Sequence, residues 1–331
     1  MAETRSFDAP GGTVMSRWGR RLAALALSLA LGLWFCADGR WMTLGEVFAR
    51  LSPGVIVLTL AGLLVSYVLR ALRVYEEFHH DDEVKGGVKG GVKFSACLRI
   101  VLIHNAAVNV MPFRGGEAAF PVLLGRTFGT PLTRALASLF WFRLQDALVV
   151  AVVAVMVWPG LPWALRVVGG LALLAFAFFL PRWAQQPHDW AGRGALAGKF
   201  AKLRDAFAES SRHARLGWWW TVANWSVKLA AQSCLLAALL DTSMGNGAAG
   251  ALGAELAAIL PIQGVAGFGT YEAGAAAALL PHGISLDDGL KAALALHVFI
   301  IMSALCAAAL AMAYPHSNPP SPTFSAKDLE P

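Results

Sequence analysis

Charge is what this sequence has least of. Asp, Glu, Lys and Arg together make up 15% of its 331 residues, where about 25% is usual for a soluble domain. Hydrophobic residues reach 57%, against roughly 45–50% in soluble proteins, and the mean hydropathy is +0.56. A soluble fold of this length cannot bury that much apolar surface and still present a charged exterior, so disordered and ordinary cytosolic classes are excluded. Cysteine is scarce too. Cys36, Cys97, Cys234 and Cys306 are scattered and form no Cys-x-x-Cys pair, which argues against a disulfide framework or a zinc site. His-Glu-x-x-His spacing, a phosphate-binding loop, a Rossmann glycine pattern and a nucleophile elbow are all missing. Metal, nucleotide and acyl-transfer centres therefore have no candidate. No cofactor, no metal and no nucleic-acid partner is expected.

What is present is a series of long apolar runs, which predicts an all-α polytopic membrane protein. Segments 22–37, 51–69, 135–157, 162–180, 216–240 and 290–313 approach or exceed the about 20 helical residues needed to cross the hydrocarbon core. Trp18 and Trp41 bracket the first, and Trp158, Trp163, Trp183 and Trp218-Trp219-Trp220 mark later ends, as rings that prefer the headgroup level do. Arg17, Arg20 and Arg21 before the first run also suit a signal peptide, but bulky Trp34 and Phe35 stand where cleavage needs small residues. An uncleaved anchor is expected.

Between the spans lie two regions, 99–125 and 247–280, apolar at both ends and interrupted in the middle. The interruptions are Pro112-Phe113-Arg114-Gly115-Gly116-Glu117, and Pro261 through Gly264, Gly267 and Gly269 to Glu272. Arms of about 12–15 residues would be roughly 18–22 Å long, enough to reach mid-membrane, so both regions are expected as re-entrant helical hairpins. Two spans, a hairpin and one span then occur twice with opposite entry. This is an inverted repeat, residues 22–157 and 162–313, flanked by a cytoplasmic tail 1–21 and a disordered cytoplasmic tail 314–331. Such paired interruptions point to a transporter's central site. Most of the 27 basic residues fall in 1–21, 70–99 and 182–215. The positive-inside rule puts those stretches, and both termini, in the cytoplasm of a cell with an inner membrane. The tandem Lys-Gly-Gly-Val run from Lys85 to Lys93 is expected to be a flexible basic linker near anionic lipid.

An ionisable residue at the bilayer centre costs about 2.5–3.5 kcal/mol on insertion scales, so each such residue needs a reason. Arg114, Gly115, Gly116 and Glu117 make a hairpin tip with free backbone N–H groups, suited to a phosphate. Arg143 and Asp146 share a helix face at i,i+3 and are expected to pair. Lys228 lies on the fifth span, and Asn109 precedes the first tip. Gly267, Gly269 and Glu272 form the second tip, and both glutamates are expected to face one polar cavity from opposite sides.

In order along the chain, these residues resemble the transmembrane region of the lysylphosphatidylglycerol synthase/flippase family. The resemblance rests on Arg70-Ala71-Leu72-Arg73, on Asn109-Val110-Met111-Pro112-Phe113-Arg114-Gly115-Gly116-Glu117, on Phe142-Arg143-Leu144-Gln145-Asp146, and on Pro261 to Glu272 with Gly267-Phe268-Gly269-Thr270. Phe120 and Phe142 stand where the family often has Arg and an acidic residue, and Gly264-Val265-Ala266 loosens its Pro-Gly-Gly stretch. The resemblance implies a flippase-like membrane domain without the soluble aminoacyltransferase domain, a transporter rather than an enzyme. It would handle a phospholipid or other lipid-linked anionic headgroup. An integral membrane enzyme with Glu117 or Glu272 as base, and an accessory scaffold for a separate lipid-modifying enzyme, are the alternatives. Membrane lipids are the expected partners, with such an enzyme or a second copy of the chain also open. Reporter fusions after Pro10 and after Ser325 should both be active in the cytoplasm. A periplasm-only reporter maturing at both ends would overturn the orientation.

Overall fold

The structure, a computed structural model, describes residues 51–79, 91–158, 160–190, 194–213, 216–259 and 265–313, with positions 45, 48 and 49. Met1–Arg50 and Leu51–Pro331 form separate units. Among the described residues the second contributes ten α-helices: α1 Pro53–His79, α2 Phe94–Val110, α3 Ala119–Phe128, α4 Leu132–Val157, α5 Trp163–Ala184, α6 Ala195–His213, α7 Gly217–Leu239, α8 Met244–Ile259, α9 Thr270–Leu279 and α10 Leu286–Ala313. Five of them (α1, α4, α5, α7 and α10) are long and apolar enough to cross a membrane. The protein is a polytopic helical membrane protein. The expected span 22–37, residues 85–90 of the expected linker 85–93 and the tail 314–331 lie outside the described residues.

Local chemistry sets the helix ends. The Ser285 hydroxyl accepts the Asp288 N–H at 3.1 Å, capping α10, as a serine before the first turn does. Gly129, at φ 71°, stops α3 and returns its N–H to the Gly125 carbonyl, the left-handed termination that glycine adopts without strain. Burial sorts the spans by depth in the bundle. α10 has 56% of its apolar window buried and stands among its neighbours, whereas α5 has 6% and presents Leu171, Leu174 and Phe179 outward. In water such an exterior would be an aggregation surface, and in a bilayer it is solvated.

Two expected cytoplasmic loops are largely helix. α1 does not stop near residue 69. Its 27 residues span about 40 Å at 1.5 Å per residue, because Ala71, Val74 and Phe78 continue the buried stripe past the charges. Arg73 and Glu77 are consequently buried. Glu77 Oε1 takes the Arg134 guanidinium at 2.7 Å, and Arg134 also reaches Ser138 at 2.6 Å and Ser210. Arg134 is thus inside the fold, paired with a carboxylate. Stretch 182–215 contains α6, whose Phe207 packs edge-on against Trp141 at 5.2 Å.

Both interrupted regions are helix–break–helix units. α2 and α3 are joined by a 3-10 turn, Pro112–Ala118, while α8 and α9 are joined through residues that include the 3-10 turn Val265–Gly267. The two turns touch each other. Glycine permits the close approaches. A Cβ on Gly116 would lie 2.2 Å from the Ala107 carbonyl oxygen, and one on Gly253 would lie 2.4 Å from that of Gly274. Small residues let membrane helices come this near. Gly253→Val should therefore destabilise the detergent-solubilised protein by the about 1–3 kcal/mol typical of overpacking, read as a lower thermal unfolding temperature. Gly245→Ala, whose new Cβ meets nothing closer than 3.7 Å, should leave the melting curve unchanged.

Candidate functional site

A cavity of about 380 Å³ opens where α1, α2, α4, α7, α8, α9 and α10 converge, within the ~300–1,000 Å³ range of small-molecule sites. Its wall is unusually polar for a membrane bundle. Arg70, Arg143 and Lys228 supply positive charge, Asp146 and Glu255 negative charge, and Asn105, Asn109, His104 and His297 hydrogen-bonding groups.

Most of the charge is neutralised across helix boundaries. Arg73 on α1 holds Asp146 on α4 through Nη1 at 2.9 Å and Nη2 at 3.4 Å. Arg73 Nη1 also donates to Thr221 Oγ1 on α7 at 2.7 Å, and the Trp225 indole N–H donates to Asp146 at 3.0 Å. The guanidinium carbon lies 4.5 Å from the centre of the Phe142 ring, a cation–π contact. Arg143 donates to Glu117 from Nε at 3.1 Å and from Nη2 at 2.9 Å, with His104 Nε2 at 3.3 Å from Nη2. Lys228 meets Glu255 at 2.7 Å, and the Gln232 amide holds that carboxylate's other oxygen at 2.6 Å.

Arg70 differs. Its Nη1 donates to Asn105 Oδ1 at 2.9 Å, and among the described residues no carboxylate forms an ion pair with it. A guanidinium at a cavity wall, oriented by a neutral amide, retains donors for an anion.

The expected Arg143–Asp146 pair forms at 3.6 Å, but each residue has a nearer partner of opposite charge, Glu117 for Arg143 and Arg73 for Asp146. Asn109, Arg143, Asp146, Lys228 and Gly267 line the cavity. Glu117 and Glu272 do not. The first is taken up by Arg143. The second accepts the Gly269 N–H at 2.6 Å at the start of α9 and meets His297 Nδ1 at 2.7 Å. Gly269, at φ 88°, is the cap of that helix. Gly115 is exposed, Gly116 is pressed on α2, and the Arg114 side chain lies outside the described residues. The sequence reading missed Arg70, Arg73, Asn105, Glu255 and His297 as site residues. Arg70 and Arg73 carried a signal, since their spacing places them one turn apart on a helix once α1 is extended.

The family model described as Lysylphosphatidylglycerol synthase TM region matches residues 21–308. No curated protein and no solved structure matches the chain.

The Arg73–Asp146 contact should behave as a buried pair. Arg73→Leu or Asp146→Leu alone leaves a charge without its main partner, a loss of about 3–5 kcal/mol, whereas replacing both residues removes most of that penalty. Thermal melts of the two single variants and the double variant in one detergent check this. Equal destabilisation in all three would contradict it.

Proposed function

Since the chain belongs to the lysylphosphatidylglycerol synthase transmembrane-region family, we propose that it translocates an anionic phospholipid or other lipid-linked anionic headgroup across the inner membrane. The headgroup passes through the polar cavity while the acyl chains stay in hydrocarbon. The observation that carries this reading is Arg70, a cavity-wall guanidinium with an amide rather than a carboxylate for its partner. A phosphate entering beside it meets a charge-assisted donor pair, with Asn105, Asn109 and the Arg143 and Lys228 cations around it. The headgroup exchanges water for this preorganised polar wall and avoids bare lipid, where ionised groups are expensive.

In this reading the two helix–break–helix units are re-entrant hairpins of an inverted repeat entering from opposite leaflets, with both termini cytoplasmic. Their touching turns support a single alternating constriction between them, since broken helices at membrane depth belong where they line a cavity. Gly267 and Thr270 bring the second break to the cavity wall. Arg114 and the amides near Gly115 and Gly116 serve as a first contact for the phosphate at the other break. A separate lipid-modifying enzyme would supply or consume the lipid.

The test is leaflet-resolved. Vesicles containing the purified protein and a headgroup-labelled fluorescent phosphatidylglycerol are exposed to an impermeant quencher, and loss of inner-leaflet fluorescence reports translocation. Arg70→Gln should slow it at least about tenfold, the effect of one lost hydrogen bond to a charged group. Lys291→Gln, at an exposed pair with Asp287, should leave it unchanged. Full-rate translocation in a folded Arg70→Gln variant would remove Arg70 from the mechanism. No translocation by the wild type would favour the scaffold role.

A further inference from the structure

The function proposed above leaves one buried titratable pair unused. His297 lies in the middle of α10, 4% exposed, and Glu272 lies in the first turn of α9, 5% exposed. The imidazole Nδ1 stands 2.7 Å from Glu272 Oε1, while Glu272 Oε2 accepts the Gly269 N–H at 2.6 Å. The ring is stacked on Tyr271 at 4.3 Å. Its other edge faces the cavity beside Gly267, where a Cβ would come within 3.4 Å of Cε1 and 3.6 Å of Nε2. One carboxylate therefore ties an imidazole to the left-handed glycines of the second break.

We propose that His297, backed by Glu272, is a proton-binding site that makes the protein a proton-coupled transporter: a proton binds the imidazole as the anionic headgroup enters the cavity and leaves with it. This rests on the translocation reading. The charge inventory supports it. Among the described side chains, of which that of Arg114 is not one, Arg70, Arg73, Arg143 and Lys228 on or directly behind the wall are matched in number by Glu117, Asp146, Glu255 and Glu272. A phosphate adds one negative charge to a set already in balance, inside a bundle where net charge is costly. A proton taken up by the imidazole restores the balance, with no covalent bond made or broken apart from N–H.

Every helix packed against α10 presents groups that His297 would sense. These are Glu272 and Tyr271 from α9, His104 from α2, Lys228 from α7, Glu255 from α8, and Arg70 with Tyr67 from α1. His104 is the rival site. It lies 3.3 Å from a guanidinium nitrogen of Arg143 and 3.6 Å from Glu117 Oε2, but Arg143 already holds that carboxylate, so a proton there would set two positive charges side by side on one negative charge. His297 meets its carboxylate, Glu272, at 2.7 Å, and the other contact of that carboxylate is the neutral Gly269 N–H. Its proton would also loosen or tighten the hold of Glu272 on the Gly269 N–H, giving the proton a path to the geometry of the break.

The experiment uses wild-type protein in vesicles of phosphatidylcholine with fluorescent phosphatidylglycerol, under a gradient of about one pH unit imposed in either direction, equivalent to a tenfold driving ratio. The expected result is a severalfold difference in translocation rate between acid-inside and acid-outside vesicles, abolished by nigericin. His297→Gln should still translocate but lose the difference. Trapped pyranine keeps the idea falsifiable if that variant fails to fold. With wild-type protein, lumenal pH should move when phosphatidylglycerol is translocated and stay still with phosphatidylcholine alone. Equal wild-type rates under both gradients, or a still lumen during phosphatidylglycerol translocation, would overturn the coupling and leave the translocation reading standing. No translocation under either gradient would overturn both.

Discussion

An ionised group in the hydrocarbon layer must bring its own counter-charge, and the Arg73–Asp146 contact is where this protein meets that demand most completely. Both residues are buried, and each makes further hydrogen bonds, Arg73 to Thr221 and Asp146 to Trp225. The bonds come from α1, α4 and α7, so one pair fixes three helices in register around the cavity. The arrangement weighs more in rigidity than in net stability, because a buried pair repays its desolvation only when its remaining donors and acceptors are satisfied. Once these three helices are held, the side chains of α1 one turn earlier have fixed positions, and Arg70 is placed at the wall without a carboxylate of its own.

The cavity exists because the helices around it are interrupted. Continuous helices would satisfy every backbone group internally and fill the space with side chains. The breaks instead bring small residues and polar groups to the same depth. Gly116 lets the first turn lie against α2, and Gly253 with Gly274 draws α8 and α9 together. Glu272, which the sequence suggested as a cavity carboxylate, serves the N-terminus of the second half-helix and reaches the cavity only through His297. A carboxylate at that position is favoured by the helix dipole and by the N–H it accepts, so its placement follows from helix chemistry as much as from transport.

The spans were legible because a bilayer imposes one plain rule on composition, and five expected segments return as long helices within a few residues apart from the extension of α1. The breaks were legible because Pro and Gly cannot be hidden inside a helix pattern. Arg70 and Arg73 were harder to see. A hydropathy window treats the first charged residues after an apolar run as the end of a span, and their partners lie far along the chain at Asn105 and Asp146. His297 carried no local signal at all, since its meaning lies in the carboxylate of another helix. Reciprocal partners for buried charge are a property of the folded bundle, and a single sequence does not list them.

The sparse burial of α5 has a consequence of its own. This helix touches α4 through Gly169 and Gly170, where a Cβ would meet Val155 at 3.2 Å and Met156 at 2.5 Å. Arg166 clasps the carbonyls of Met156, Trp158 and Leu161 at its start. Its last turn is held by Arg204 of α6, which donates to the Trp183 and Ala184 carbonyls; the exposed face between these points meets lipid, and lipid does not distinguish Leu from Phe or Val by shape. Selection can therefore act on the outer face of α5 only through its average hydropathy, while the two glycines, Arg166 and the packed end at Trp183 and Ala184 answer to geometry. Descent should erode identity along its outer face and preserve a narrow seam, making α5 the span whose letters change fastest and whose place changes least.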